Sequence, residues 1–339
     1  MSLQSNQAMS QASQITAPSP WALCVAPMID VTDRYCRYFH RLLAPKARLY
    51  TEMITTGALE YGDVARHLRF DPSEHPVALQ LGGSDPKALA YSAKLGEQWG
   101  YDEINLNCGC PSDRVLQGAF GAILMSQAHH VADCVKAMQD TVSIPVTLKH
   151  RLGLDYDYSY EFVKDFVAIQ YEAGVRVFIV HARNAVLKGL SPKENREIPP
   201  LRYDMATQLT QDFPDATFVL NGGINTVEDS MQHLQHFEGV MLGRAAWHTP
   251  AILGLIHDQI WPNEVRLSDE EVIDAMHAYL SAEIQAGTRP RQITKALLGW
   301  AHGKQGARQW RRHLSDPVQM ERNDATVLLE AWHQLQRAN

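Results

Sequence analysis

The segment Asn105-Leu106-Asn107-Cys108-Gly109-Cys110-Pro111-Ser112 places a cysteine in a Gly-Cys-Pro-Ser turn directly after a short run with apolar content. A thiol in such a turn can stand clear of the core. Free thiols titrate near about 8.5, so they are mostly protonated at neutral pH and can act as general acids. Spacing alone leaves Cys110 open between that role and a plain turn residue. Cys108 reads equally well as a small packing residue. The C-x-C pair could suggest a metal, but no second Cys pair or Cys/His cluster completes a tetrahedral set, and no metal is expected. The five cysteines (Cys24, Cys36, Cys108, Cys110, Cys134) are too sparse for a disulfide framework and point to a reduced, cytoplasmic compartment.

Other polar residues end apolar runs in the same way. Ala26 leads into Pro27-Met28, and Gln80 lies in Leu79-Gln80-Leu81-Gly82-Gly83. Lys149 and His181 close two further runs, and the last two open into Asn221-Gly222-Gly223-Ile224 and Gly243-Arg244. Glycines let backbone N–H groups approach an anion, and Arg244 adds a planar charged donor, so this pair of loops reads as a phosphate site. A lysine on a buried strand is costly without a partner. Lys149 is either a snorkelling side chain or a cation facing the pyrimidine edge of a flavin, where reduction leaves negative charge. Gln80 could bond the same ring, and His181 could be a core histidine or a donor to flavin or phosphate.

Eight stretches read as strands: 22–26, 48–53, 77–81, 103–106, 146–149, 176–180, 217–220 and 239–242. Several are rich in Val, Ile and Leu with little alternation, as expected for a parallel sheet covered on both faces. Helical patterns separate them. Asp85-Pro86 opens one carrying Leu89, Ala93 and Gly96; others run through Val131, Cys134, Val135 and Met138, through Phe162, Phe166 and Ile169, and through Val227, Met231 and Leu234. The alternation predicts an α/β (β/α)₈ TIM barrel, with a doubly wound sheet as the alternative. In such barrels, chemistry gathers at the C-terminal strand ends and phosphate sites follow the last two strands. After Trp261-Pro262 the pattern turns helical, and Ser268 with Glu271 forms a capping-box signature. The expected organisation is a loose tail over 1–18, a barrel over 19–264 and a small all-helical domain over 265–339. The tail lacks the basic and apolar regions of a secretory signal, and no apolar run is long enough to span a membrane.

The net charge of -7 opposes global attraction to nucleic acid. Its distribution does not. Residues 287–313 hold Arg289, Arg291, Lys295, Lys304, Arg308, Arg311 and Arg312 without any Asp or Glu, with Trp300 and Trp310 interleaved. That combination suggests a surface that tracks phosphates; a solvated helix face is the alternative.

These motifs resemble the tRNA-dihydrouridine synthases. The resemblance rests on Ala26-Pro27-Met28, Asn105 to Pro111, the Lys149 strand, His181-Ala182-Arg183 and Asn221-Gly222-Gly223-Ile224, and runs from about residue 22 to about 315. The loop from Leu187 to Arg196 is similar to that of the bacterial A subfamily. The resemblance implies an FMN-bound barrel in which NADPH reduces the flavin, hydride passes to C6 of a uracil, and Cys110 gives a proton to C5. It assigns FMN to Pro27, Met28, Gln80, Lys149, His181, Asn221, Gly222, Gly223, Gly243 and Arg244. It assigns tRNA contacts to Asn107, Lys193, Arg196, Arg308 and Arg311, implies action on uridines 20 and 20a of the D-loop, and suggests a monomer. Two rivals stand beside it. A small-molecule flavin reductase would not need the basic helical segment, and a non-enzymatic tRNA-binding module would not need Lys149, Cys110 or the glycine loops.

Overall fold

The computed structural model describes residues 17–112 and 118–338. The tail expected over 1–18 therefore lies outside the described residues except at its end. Nine parallel strands form one sheet: β1 (Leu23–Val25), β2 (Arg48–Tyr50), β3 (Ile54–Thr55), β4 (Val77–Gly82), β5 (Glu103–Cys108), β6 (Val146–Arg151), β7 (Val177–His181), β8 (Thr217–Asn221) and β9 (Gly239–Leu242). β1 pairs with both β2 and β9, and β2 pairs with β4, so eight strands close on themselves. The result is a (β/α)₈ TIM barrel, with β3 adding a short pairing at the mouth end of β4.

The stretch anticipated as one strand over 48–53 breaks after Tyr50. Thr51 keeps its N–H on the Ala78 carbonyl at 3.0 Å, but its hydroxyl accepts the Gln80 N–H at 3.0 Å and so takes the place of a backbone partner. The chain then leaves the ladder and rejoins β4 at Ile54.

The helices form where the spacing placed them. Asp85 caps Pro86–Gln98 by accepting the Ala88 N–H at 2.8 Å, and Leu89, Ala93 and Gly96 face the barrel. The helix packs closely at Gly96, where an added Cβ would lie 2.6 Å from an Ile104 methyl and 2.7 Å from a Leu79 methyl, so those side chains would have to shift. Outward residues of the strands, such as Leu79, Leu81, Ile104, Leu106 and Phe178, join the helices in the main apolar core. Inside the barrel a smaller set packs together: Cys24, Ala26, Tyr50, Ala78, Ile179, Val219 and Met241. This division follows the two-residue period of a strand.

Beyond the barrel, helix Asp269–Gln285 opens with the anticipated reciprocal cap between Ser268 and Glu271. The helices that follow enclose their own core around Met276, Leu297, Trp300, Trp310 and Leu328. Cys36, Phe39 and Leu43, from helix Arg34–Leu43 of the barrel segment, complete it. Arg34 locks the two parts together with paired bonds to Glu283 at 2.6 and 2.5 Å. No helix among the described residues is long and apolar enough to cross a membrane.

Candidate active site

A cavity of about 790 Å³ opens at the C-terminal ends of the strands. That size suits a cofactor or drug-sized ligand. Its wall includes Pro27 and Met28 after β1, Gln80 on β4, Asn107 and Cys110 at the end of β5, Lys149 on β6 and His181 on β7. Asn221, Gly222 and Gly223 follow from β8, Gly243 and Arg244 from β9, and Lys193 and Arg196 from the long loop after β7. Of the residues that the resemblance assigns to catalysis, FMN or tRNA, only Arg308 and Arg311 lie away from this wall. Among the described residues, no three His, Cys, Asp or Glu side chains cluster as a metal site needs.

Cys110 is the one partly exposed cysteine; the other four are buried. Its position is built by Asn107, whose Oδ1 accepts the N–H groups of Gly109 at 3.1 Å and Cys110 at 3.0 Å. The thiol lies 3.4 Å from the Ser112 hydroxyl. Cys108 is fully buried, and burial pushes its thiol up, which fits a packing residue.

Lys149 Nζ donates to Asn221 Oδ1 at 3.0 Å, and Asn221 Nδ2 donates in turn to the Met241 carbonyl at 2.8 Å. Desolvation, reinforced by the Arg151 guanidinium, lowers the lysine to about 7. Burial, again joined by neighbouring cations (Arg151 and Lys149 first), holds His181 well below the ordinary histidine range. It is therefore a neutral imidazole at physiological pH, with one donor and one acceptor nitrogen.

The two glycine loops differ. Gly222 and Gly223 have φ of 106° and 76°. A Cβ on Gly222 would lie 2.6 Å from the His181 ring, and one on Gly223 2.5 Å from Leu201 and the Tyr203 hydroxyl. Gly243 has a negative φ of -109°, and its Cβ would meet Ala26 and Met28 only at 3.7 Å. The first pair is required by the backbone; the third keeps the cavity wall thin. Arg244 pairs with Glu197 at 2.7 Å.

The dihydrouridine synthase (Dus) family model matches residues 24–337. The chain belongs to the dihydrouridine synthase family. It is 53% identical over 309 residues to the tRNA-dihydrouridine(20/20a) synthase of Escherichia coli K12, covering 91% of this chain and 89% of that one. The protein of the same name from Pseudomonas putida is 51% identical over 323 residues, covering 95% and 96%. A solved complex of 2-naphthoyl-CoA reductase with 2-naphthoyl-CoA shares the fold, with a TM-score of 0.53 at 11% identity over 70% of this chain and 49% of that one.

Two features of this synthase-family site escaped the sequence reading. Arg151 is buried and clamps the mouth loops, donating to the carbonyls of Gly109 (3.1 Å), Asn184 (3.0 Å) and Asn195 (2.9 Å). Its spacing of two from Lys149 puts it on the same strand face, which was the available signal. Asn195 pins the loop after β7 by bonding both the N–H and the carbonyl of Val186, at 2.8 and 2.9 Å.

The basic segment needs two corrections. Trp300 and Trp310 do not stand on a surface between cations, although Lys304 lies over the Trp300 ring, 5.8 Å from its centroid. Both are buried: Trp300 stacks on Trp332 at 5.7 Å, and helix Ala307–Ser315 turns Trp310 and Leu314 onto the helical core. Nor is the segment free of acids in space. Lys295 pairs with Asp33 and Lys304 with Asp269, both at 2.7 Å. Arg289, Arg291, Arg308, Arg311 and Arg312 remain exposed, with no ion pair among the described residues.

Proposed function

We propose that the chain is a flavin-dependent tRNA-dihydrouridine synthase that reduces the C5=C6 bond of uridines 20 and 20a in the tRNA D-loop. The observation that carries this reading is a partly exposed cysteine, Cys110, at the rim of a cavity whose floor presents Lys149, Gln80 and a neutral His181. The two relatives above, both named for tRNA-dihydrouridine(20/20a) synthesis, support the substrate.

The residues fit FMN in size and in kind. The cavity is large enough, Lys149 and Gln80 would offer donors to the ring, and the Gly222-Gly223 and Gly243-Arg244 loops in its wall would cradle the phosphate. Pro27 and Met28 would flank the ring, and His181 and Asn221 would complete the polar wall. When bound and reduced by NADPH, the flavin supplies a hydride to C6 of the uracil. The protein's part is position and a proton. Hydride addition leaves negative charge on the C4–C5 side of the base, and the Cys110 thiol discharges it by protonating C5. Lys149 gives an ammonium where the reduced ring carries charge. Asn107 holds the thiol's turn and would touch the base. Lys193 and Arg196 at the mouth, with Arg308 and Arg311 on the helical part, would hold the tRNA backbone while the uridine leaves its stack.

The test is Cys110→Ala. The variant is expected to stay yellow and to oxidise NADPH, while dihydrouridine formation in tRNA falls by about two orders of magnitude or more, as for loss of a general acid. Wild-type dihydrouridine yield in that variant ends the proton-donor assignment. A wild-type protein without flavin absorption, or one that reduces free uridine as readily as tRNA, overturns the reading as a whole.

A further inference from the structure

Strand β5 sends Glu103, Asn105 and Asn107 into the barrel interior at every second position, and all three are buried. With Thr147 on β6 and Gln80 on β4 they form one unbroken hydrogen-bonded chain. The Thr147 hydroxyl donates to Glu103 Oε1 at 2.6 Å. Asn105 Nδ2 donates to Thr147 Oγ1 at 2.8 Å, and Gln80 Nε2 donates to Asn105 Oδ1 at 2.7 Å. Asn107 Nδ2 donates to Gln80 Oε1 at 2.9 Å, and Asn107 Oδ1 receives the N–H groups of Gly109 and Cys110. The chain thus climbs from the barrel floor to the thiol turn, about 13 Å along a strand rising roughly 3.3 Å per residue.

A primary amide has no sense of its own, since oxygen and nitrogen occupy nearly the same space. Here both ends impose one. The backbone N–H groups at the top can only donate. At the bottom, the Glu103 carboxylate also accepts Trp21 Nε1 at 2.7 Å and the Tyr50 hydroxyl at 2.8 Å, with the Arg48 guanidinium 3.3 Å away. Surrounded by donors, it accepts from Thr147, and every link above it must point the same way.

We propose that Glu103 and Thr147 are positioning residues, which act through Asn105 to fix the donor–acceptor sense of the Gln80 and Asn107 amides facing the ligand. The inference rests on the flavin reading of the cavity. Neither Glu103 nor Thr147 touches the cavity wall; they set which amide edge Gln80 offers the cofactor ring and hold the Asn107 carbonyl under Cys110. Their hydrogen bonds reach the site through fully buried, partnered groups, where a broken link has no water to replace it.

Two replacements of Thr147 separate this role from packing. Thr147→Val keeps the shape and removes the hydroxyl; Thr147→Ser keeps the hydroxyl and removes a methyl. The chain predicts that Val weakens FMN binding, read by flavin fluorescence quenching, by about fivefold to tenfold, the scale of one to two hydrogen bonds, and that Ser binds like wild type. In the flavin-free protein, the side-chain amide resonances of Gln80 and Asn107 should shift in Val and in Glu103→Gln but not in Ser. The reverse pattern, with Ser impaired and Val like wild type, overturns the proposal, as do unchanged amide resonances in both Val and Glu103→Gln. A wild-type protein that binds no FMN refutes the flavin reading instead, and the amide resonances still decide the chain.

Discussion

The surroundings of Lys149 oppose its charge. Burial and the Arg151 guanidinium bring it down to about 7 from an ordinary 10.5. Between those values the unfolded chain binds more protons than the folded one, so this group makes stability rise with pH across that window and weighs most against folding below it. A residue chosen for stability alone would be apolar. Lys149→Met is therefore expected to stabilise the flavin-free protein at pH 7 by on the order of 1 kcal/mol or more, less what is lost with the Asn221 bond, and so to raise its melting temperature. Thermal unfolding from pH 7 to pH 10 should show the advantage shrinking as the wild-type lysine's penalty disappears. The same variant should bind FMN more weakly. A melting difference that is constant over that pH range, or FMN binding equal to wild type, contradicts the role given to this cation.

At the scale of elements, the glycine loops make separable predictions. Gly222→Ala forces a side chain to a φ of 106° and its Cβ onto the His181 ring, so it should lose about 1–3 kcal/mol of stability as well as flavin. Gly243→Ala meets ordinary contacts at 3.7 Å. It should cost less stability than Gly222→Ala yet bind FMN less tightly, because the added methyl enters the cavity wall. Equal destabilisation by both changes in denaturant titrations contradicts this division. The loops were legible as a pair because glycine has few reasons to recur after successive strands. The order of the strands and the closure of the barrel follow from pairing between distant residues, which no local pattern records. The interior was also hidden. Residues 103–107 alternate Glu, Ile, Asn, Leu and Asn, a pattern that reads locally as a half-exposed strand. Here the polar side faces a barrel interior whose groups satisfy one another, so it is as buried as the apolar side.

At the scale of the molecule, a net charge of -7 and a nucleic-acid substrate are reconciled by where the cations lie. Lys295 and Lys304 belong to ion pairs, with Asp33 and Asp269, which leaves Arg289, Arg291, Arg308, Arg311 and Arg312 as the exposed arginines of the segment. Replacing Arg308 and Arg311 together by Ala should weaken binding of different tRNAs to similar extents and flatten the salt dependence by roughly one to two units of log–log slope, as for loss of one to two phosphate contacts. Unchanged affinity and slope in filter-binding titrations remove the helical part from the tRNA interface. The sequence signalled this surface through charge and misjudged its tryptophans, because aromatic spacing on a helix is the same whether the stripe faces water or a second core. The most direct measurement of the central claim is mass-spectrometric mapping of dihydrouridine in tRNA that starts without it, after incubation with the protein, FMN and NADPH. Dihydrouridine is expected at positions 20 and 20a, dependent on NADPH and on Cys110. A yellow, NADPH-oxidising protein that leaves those positions as uridine, or modifies uridines elsewhere instead, contradicts it.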